Sequence, residues 1–243
     1  MNLFEQIKAL VRVGRRETVS LLLIVLIAGA AWVFVELADD VIEGETQSLD
    51  ERLLLALRSA GDPSDPIGPA WVEEMNRDIT ALGGVTVLTL LSLAVFGFLW
   101  LQGKRREMLV VIVAVIGALV INYSLKGVFD RPRPDLVQHG AQVYTASFPS
   151  GHSLMSTAIY LTLGSLLACF QAGRGLKVYV LTLAVLIVMA IGWSRVYLGV
   201  HWPSDVLAGW SAGAAWALVC VLVARHMQQT GRMNPDPDET SSP

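Results

Sequence analysis

Three short clusters of polar and ionisable residues lie beside long apolar segments of the 243-residue chain. The first cluster, residues 126–134, has the sequence KGVFDRPRP, and the second, residues 147–152, has the sequence SFPSGH. The third runs from Ser194 to Asp205. Polar and ionisable groups at the ends of membrane-length apolar segments are the candidates for a functional site. The three clusters therefore hold the candidate chemistry of the chain.

Three cations in these clusters suit an anion with several oxygen atoms. Lys126 and Arg133 lie in the first cluster and Arg195 lies in the third. Guanidinium forks together with an ammonium group match the oxygens of phosphate. In the second cluster, Ser150 and Gly151 fall in the predicted first turn of a helix, where unpaired N–H groups and the helix dipole favour an anion. These five residues form a predicted phosphate site.

Two histidines supply the candidate reactive groups. His201 directly precedes a helix predicted to begin at Pro203, and Asp205 lies in the first turn of that helix. A carboxylate on one imidazole nitrogen fixes the tautomer and leaves the other nitrogen free to attack phosphorus, although Asp205 could also be a simple helix cap. His152 would then donate a proton to the leaving oxygen. The remaining histidines lack such a setting and are predicted to be solvated: His139 and His226.

Six apolar segments position these clusters. A content of 53% hydrophobic and 16% charged residues argues against an ordinary soluble globule. Each segment is apolar around its whole circumference and close to the length that crosses a bilayer, at residues 19–35, 80–101, 108–125, 153–170, 178–193 and 206–224. Buried helices of a soluble protein are the alternative. The sequence predicts an all-α integral membrane bundle of six transmembrane helices.

The distribution of charge predicts the topology. A net charge of −3 argues against nucleic acid as a partner. Basic residues flank alternate segments and should face the cytoplasm by the positive-inside rule, at Lys8, Arg12, Arg15, Arg16, Lys104, Arg105, Arg106, Arg174, Lys177, Arg225 and Arg232. Both termini are then cytoplasmic, and the three clusters lie at the outer face. A cleaved signal peptide is the alternative for the first segment, but its apolar run continues to Val35, which favours an uncleaved anchor.

The predicted organisation has three parts: a cytoplasmic N-terminus at residues 1–18, a transmembrane domain at 19–227 and a disordered cytoplasmic tail at 228–243. Residues 36–78 form an acidic outer loop within the domain. A capping-box pattern at residues 48–51 predicts a short amphipathic helix along the membrane surface, and a second helix at residues 69–79 should run directly into the second span. A lid over the substrate and a plain spacer are both open interpretations of this loop.

The clusters together resemble the signature of the type 2 phosphatidic acid phosphatase family, the lipid phosphate phosphatases. The first motif of that family is Lys, six residues, then Arg-Pro, and it is matched by Lys126, Arg133 and Pro134. The second, Pro-Ser-Gly-His, is matched by residues 149–152. The third is Ser-Arg, five residues, His, three residues, Asp, and it is matched by Ser194, Arg195, His201 and Asp205. Three ordered motifs are far more specific than any one of them.

The resemblance implies a role for each matched residue. His201 would be the nucleophile that becomes a phosphohistidine, Asp205 its partner and His152 the general acid. Phosphate would be bound by Lys126, Arg133, Ser150, Gly151 and Arg195. The family is described as needing no metal or other cofactor. The compact form resembles bacterial members, which implies the inner membrane and a periplasmic site.

The resemblance leaves the substrate open among membrane lipid phosphates. Undecaprenyl diphosphate and phosphatidylglycerol phosphate rank slightly ahead of phosphatidate. A phosphotransferase that passes phosphate to another lipid is the alternative activity, and a transporter or lipid-binding protein would explain the cations but not Asp205 beside His201. Vanadium haloperoxidases are also relatives of the family, but they are soluble, and six apolar segments argue against that activity. The sequence does not indicate an oligomeric state.

Overall fold

The computed structural model describes residues 3–135 and 146–229. The helices of these ranges are α1 (Leu3–Glu43), α2 (Gln47–Leu55), α3 (Ala70–Ala81), α4 (Val85–Leu101), α5 (Arg105–Val128), α6 (Gly151–Cys169), α7 (Arg174–Tyr197) and α8 (Pro203–Gln229). Strands β1 (Arg58–Ser59) and β2 (Asp62–Pro66) form one antiparallel hairpin. His139 and residues 230–243 of the predicted tail lie outside the described residues.

The helices confirm the predicted all-α membrane bundle. Five of them are long and apolar enough to cross a membrane: α5, α6, α7, α8 and the Glu17–Glu43 part of α1. The candidate for the sixth span is the bent pair of α3 and α4, which passes the same test of length and composition together and whose axes differ by 46°. Within the described ranges the chain is therefore a multi-pass membrane protein. Helices suit this setting because they satisfy their backbone hydrogen bonds internally, where lipid offers no partner.

The break between α3 and α4 departs from the prediction that the helix at residues 69–79 continues directly into the second span. Helix α3 ends at Ala81, and Gly84 has an extended backbone as the N-cap of α4. A methyl group at Gly83 would lie 2.6 Å from Ile191 Cγ2 and 3.4 Å from His152 Cδ2. The two glycines therefore let the chain bend where it passes close to α7 and to the second cluster.

Helix α6 lies at the centre of the bundle, in contact with α5, α7 and α8. Two glycines of α8 allow the closest of these approaches. A methyl group at Gly209 would lie 2.7 Å from the Ser150 carbonyl oxygen, and one at Gly213 would lie 2.5 Å from the Leu154 carbonyl oxygen. Small residues at helix interfaces permit such backbone proximity in membranes. The first turns of α6 and α8 are thereby held side by side.

Helix α1 packs on α8 and supports the loop that precedes α6. Ala38 and Phe34 of α1 pack with Phe148, Phe129 and Ala208 in one buried cluster. The Phe148 ring lies 6.0 Å from the Phe34 ring and 4.9 Å from the Phe129 ring, measured between centroids. This aromatic packing fixes the backbone next to residues 147–152.

Helix α2 forms as predicted, but its N-terminal cap and its contacts differ from the prediction. It begins at Gln47, its N-cap Thr46 makes no side-chain cap bond, and the predicted capping box at residues 48–51 does not form. The helix also does not merely lie on the membrane surface. Its Leu54 is fully buried against Val196, Trp202 and Val206 at the turn between α7 and α8. Helix α2 is therefore docked on the third cluster.

The β1–β2 hairpin was not predicted, because its prolines and acids are typical of a structureless breaker. Local side-chain bonds close it instead. Asp62 Oδ1 accepts bonds from Ser64 N at 2.9 Å and from Ser64 Oγ at 2.6 Å, and Ser59 Oγ donates to Asp65 Oδ2 at 2.8 Å. Gly61 supplies the positive φ of +100° that the tight turn requires.

The close contact between α6 and α8 predicts the effect of Gly209→Ala. The added methyl group would meet backbone atoms of α6 that cannot move aside, and overpacking of this kind costs about 1–3 kcal/mol. We expect a lower thermal unfolding temperature in detergent, measured by near-ultraviolet circular dichroism. The matched control is Gly97→Ala in α4, where a methyl group would meet nothing within 4 Å. Equal unfolding temperatures of the two variants would contradict the packing argument.

Candidate active site

The three sequence clusters meet at one end of the bundle, where α5 and α7 end and α6 and α8 begin. Backbone hydrogen bonds connect them directly. Ser150 N donates to the Asp205 carbonyl oxygen at 2.9 Å, and Ser147 N donates to the Arg131 carbonyl oxygen at 2.9 Å. The second cluster is thereby joined to the third and to the first. The convergence expected from the sequence is present in the structure.

His201 and Asp205 form the buried pair at the centre of this site. His201 is 2% exposed and Asp205 is fully buried. His201 Nδ1 lies 3.3 Å from Asp205 Oδ2. The same carboxylate oxygen accepts bonds from Trp202 N at 3.0 Å and from Ser147 Oγ. An ionised carboxylate only accepts, so neutral His201 carries its proton on Nδ1 and its lone pair on Nε2.

The free nitrogen of His201 points toward a cation. Arg133 Nη1 lies 3.1 Å from His201 Nε2 and also donates to the Val200 carbonyl oxygen at 2.8 Å. Burial lowers the pKa of His201 to about 3, and it outweighs the opposing effect of the Asp205 carboxylate. His201 is therefore uncharged at neutral pH. A neutral imidazole with an available lone pair is the form that can act as a nucleophile.

His152 stands in the first turn of α6 among the same cations. It lies within electrostatic range of Arg195, His201, Arg133 and Lys126. The His152 ring also lies next to Gly83, as described above, so the end of α3 forms one wall of the site. Both predicted reactive histidines and the three predicted cations thus share one pocket. His226, in contrast, lies in the last turn of α8, at the opposite end of the bundle.

Lys126 reaches the pocket from the last turn of α5. Its Nζ donates to the Ala146 carbonyl oxygen at 2.6 Å. Gly151 lets the first turn of α6 approach this lysine, because a methyl group there would lie 3.0 Å from Asn122 Oδ1 and 3.6 Å from Lys126 Cε. Gly151 therefore contributes by its lack of a side chain.

Ser150 is the N-cap of α6, and its Oγ accepts a bond from Ser153 N at 3.4 Å. Because its own backbone N–H is bonded to Asp205, only its hydroxyl proton is left for a ligand. The sequence analysis predicted that unpaired N–H groups of this turn bind the anion, whereas Ser150 can contribute its hydroxyl group and not its backbone N–H.

Arg195 carries a buried donor that has no partner among the described residues. Its side chain is 8% exposed, and Nη1 donates to Thr80 Oγ1 at 2.9 Å. Its Nε is buried and makes no hydrogen bond within residues 3–135 and 146–229. A buried donor of a charged group without a partner is costly, and an anion would satisfy it.

Two charged residues of the site were given no individual role by the sequence analysis. Arg131 of the first cluster donates to Asp205 Oδ1 at 2.7 Å and to Asp50 Oδ2 of α2 at 2.7 Å. The sequence offered one signal for Arg131, a second arginine beside the first motif. It offered none for Asp50, one of many acids in a loop distant in sequence.

An apolar cavity of about 600 Å³ is lined by residues of α3, α7 and α8 and of the segment at residues 57–67, none of them a predicted site residue. Its lining residues on α7 are Leu186, Met189, Ala190, Trp193 and Tyr197, a spacing of three or four residues that marks one helix face. Arg195 lies two positions along α7 from Trp193 and two from Tyr197, a rotation of about 200° around the helix axis. The cavity and the cation pocket are thus on opposite faces of α7.

Within the described part of the chain, no group of three His, Cys, Asp or Glu side chains is arranged to hold a metal ion. The absence of a metal requirement remains a prediction from the family resemblance.

Comparison with known proteins identifies relatives of this fold and site. A family model described as PAP2 superfamily matches residues 107–228. Phosphatidylglycerophosphatase B of Bacillus subtilis is 30% identical over 183 residues, which are 74% of this chain and 85% of the relative. The candidate undecaprenyl-diphosphatase YbjG of Escherichia coli is 29% identical over 153 residues, which are 59% of this chain and 69% of the relative.

A solved structure is also similar. The crystal structure of a transmembrane PAP2-type phosphatidylglycerolphosphate phosphatase from Bacillus subtilis aligns with a TM-score of 0.75 at 27% identity. The alignment covers 83% of this chain and 96% of that chain. The similarity therefore includes the bundle as well as the motif-bearing helices.

Because Arg195 has an unpaired donor, we expect a variant without this side chain to bind anions more weakly than the unaltered protein does. A hydrogen bond to a charged group contributes about 1.5–3 kcal/mol, so Arg195→Ala should bind inorganic phosphate roughly 10–100-fold more weakly than the unaltered protein by isothermal titration calorimetry. The matched control is Arg77→Ala on α3, whose exposed guanidinium pairs with Glu73 at 2.6 Å. Unchanged affinity in Arg195→Ala, or an equal loss in both variants, would contradict the assignment of Arg195 to the anion site.

The lowered pKa of His201 predicts that its ring stays neutral in mild acid. Because the pKa lies near 3, protonation of this ring should be negligible between pH 7 and pH 5. Nitrogen-15 NMR should show one protonated and one unprotonated ring nitrogen throughout that range, with the signal assigned by its loss in His201→Gln. Conversion of both nitrogens to the imidazolium form above pH 5 would be the opposite result.

Proposed function

The chain belongs to the PAP2 superfamily and is a membrane lipid phosphatase, and from this premise we propose that it hydrolyses its substrate through a phosphohistidine on His201. One observation carries the proposal. The Nδ1 side of His201 is held by Asp205, while Nε2 faces the guanidinium of Arg133. This arrangement supports a nucleophilic nitrogen aimed at a bound phosphate.

Binding of the substrate phosphate would engage Arg133, Arg195 and Lys126, with the Ser150 hydroxyl and the close backbone at Gly151 assisting. Arg133 now lies 3.1 Å from His201 Nε2, so a phosphate oxygen would replace that nitrogen as its acceptor. The exchange would release the Nε2 lone pair at the moment when phosphorus arrives. The cations would also stabilise the negative charge that spreads over the phosphoryl oxygens in the transition state.

In the first chemical step, His201 Nε2 forms a bond to phosphorus, and the bond from phosphorus to the lipid oxygen breaks. His152, as the imidazolium, gives its proton to the departing oxygen. Asp205 stabilises the positive charge that develops on His201. In the second step, His152 takes a proton from water, the water oxygen attacks phosphorus and the N–P bond breaks. Inorganic phosphate leaves, and His201 returns to its neutral form.

The proposed substrates are phosphatidylglycerol phosphate, undecaprenyl diphosphate and phosphatidate, the first two ranked ahead. Two relatives support this order, since one is named a phosphatidylglycerophosphatase and another a candidate undecaprenyl-diphosphatase. The pocket also lies at the ends of membrane-length helices, at a depth that a lipid headgroup can reach.

The proposed location is a bacterial inner membrane, with the site in the periplasm and both termini, residues 1–18 and 228–243, in the cytoplasm. Helices α5 and α7 begin at Arg105 and Arg174, at the end of the bundle opposite the site, and the positive-inside rule places such residues in the cytoplasm. Intact spheroplasts should therefore hydrolyse a membrane-impermeant, short-chain substrate. Activity that appears only after lysis would reverse the orientation.

The proposed mechanism predicts the effect of His201→Ala on phosphate release. Purified protein in detergent with excess chelator is supplied with each of the three lipids. We expect release by the unaltered protein and a loss of kcat of about 10⁴-fold or more in the variant, because residual catalysis by binding alone is small when a nucleophile is removed. His226→Ala at the far end of α8 is the matched control and should retain full activity.

Each other result of this assay has a distinct meaning. Equal activity of His201→Ala and the unaltered protein would reject the nucleophile. Loss of all activity on chelation would reject the metal-independent route. A phosphorylated acceptor lipid without matching free phosphate would show the alternative activity, a phosphotransferase.

A further inference from the structure

Arg131 lies between two buried carboxylates that belong to distant parts of the chain. Its Nη1 donates to Asp205 Oδ1 at 2.7 Å and its Nη2 donates to Asp50 Oδ2 at 2.7 Å. The exposed fractions of the three side chains are 9% for Arg131, 3% for Asp50 and 0% for Asp205. Ion pairs as buried as this act strongly on one another, because little water screens them.

Asp50 also binds the first turn of α8. Its Oδ1 accepts a bond from Ser204 N at 2.9 Å, and its Oδ2 accepts one from Ser204 Oγ at 2.5 Å. Ser204 Oγ in turn lies 2.7 Å from Arg131 Nη1. Asp50 therefore satisfies an otherwise unpaired N–H group of α8 and places an anion at its positive end, although it comes from another helix.

The charges around Asp205 explain why a second carboxylate is needed. Arg131 competes with His201 for Asp205, since it takes Oδ1 while His201 and Trp202 share Oδ2. If Asp50 were absent, Arg131 would have Asp205 as its single carboxylate partner in the described structure. The guanidinium would then bind Asp205 more strongly and draw negative charge away from the imidazole.

We propose that Asp50, on helix α2, is a positioning residue that holds Arg131 between two carboxylates and thereby keeps Asp205 oriented on His201. The proposal rests on the proposed function of His201 as the nucleophile. It also gives the segment between α1 and α4 a role: α2 completes the site from outside the three sequence motifs. Leu54 packs the same helix on the turn before α8 without carrying charge.

A purely structural role for α2 makes different predictions from a positioning role. Loss of packing reduces the fraction of folded protein, which lowers the apparent rate at every pH by one factor. Loss of the negative charge of Asp50 makes the net charge of the site more positive. The charged and titratable groups of the site that experience this change are Asp205, His201, His152, Arg133, Lys126 and Arg195. That change should favour the neutral form of both histidines and leave the attraction of an anionic substrate intact or stronger.

The test compares Asp50→Asn with two matched variants in the phosphate-release assay. Glu45→Gln removes an exposed acid just before α2, and Leu54→Ala removes packing without a change of charge. The amplitude of the initial burst of phosphoenzyme formation gives the concentration of active sites. Each rate is divided by that concentration, which corrects it for the folded fraction. For Asp50→Asn we expect kcat per site to fall about 10–100-fold, the loss typical when a hydrogen-bond partner that orients a metal-ligating side chain is removed. KM should be unchanged or lower, and the pH optimum should move to lower pH by about half a unit.

A double-mutant cycle provides the second readout. If Asp50 acts through Arg131, Asp50→Asn should cost much less in an Arg131→Gln background than in the unaltered protein, so the two effects on kcat per site should not add. Asp50→Glu, which keeps the charge, should recover part of the rate. Leu54→Ala and Glu45→Gln should keep the original kcat per site and pH optimum.

Several results would overturn the inference while leaving the proposed function in place. These are an unaltered kcat per site in Asp50→Asn, additive effects of Asp50→Asn and Arg131→Gln, or the same pH profile in Asp50→Asn and Leu54→Ala. An inactive unaltered protein, or an active His201→Ala variant, would instead reject the proposed function itself.

Discussion

The buried carboxylate of Asp205 is the group on which the rest of this site depends. An isolated carboxylate in such a position would be very costly, and it is tolerated only because donors surround it. Arg131 binds one oxygen, while Trp202 N, Ser147 Oγ and His201 Nδ1 converge on the other. Each donor comes from a fixed piece of backbone. Orientation of the His201 ring is thus a consequence of how the protein satisfies one buried charge.

The bundle is built so that these donors meet. The backbone contact at Gly209 holds α6 against α8, so Ser150 N reaches the Asp205 carbonyl oxygen. The break at residues 82–84 lets the end of α3 pass beside His152. Apolar surface elsewhere on the helices faces outward, as expected for a chain whose solvent is lipid, and the residues of the proposed site are gathered at one end of the helices. Packing of small residues therefore sets the geometry of the charged ones.

The meeting of the proposed site residues at one end of the bundle could be predicted from sequence because they are tied to helix ends. An apolar segment that stops at a Lys, a Pro-Ser-Gly-His start and a His that precedes a Pro-begun helix each specify one end of a span. Asp50 could not be predicted in this way. It lies 81 residues from Arg131, inside the pattern at residues 48–51 that predicted a local capping box, and its carboxylate has no part in such a box. The structure uses the Asp50 carboxylate for α8 and Arg131, and no local sequence pattern indicates partners so distant along the chain. The hairpin at residues 58–66 was missed for a related reason, because side-chain bonds of Asp62 and Asp65 close a segment whose prolines suggest no strand.

Covalent phosphorylation of His201 can be demonstrated by trapping the intermediate. The protein is mixed with excess lipid substrate labelled in its terminal phosphate, denatured within milliseconds and digested for mass spectrometry. A phosphoramidate is labile in acid and stable in base, so denaturation at high pH should preserve it. We expect a phosphoryl group on His201 in a stoichiometry near one per active site, and none in His201→Ala. A phosphoryl group on His152 or on another side chain, or rapid turnover without any trapped intermediate, would contradict the account.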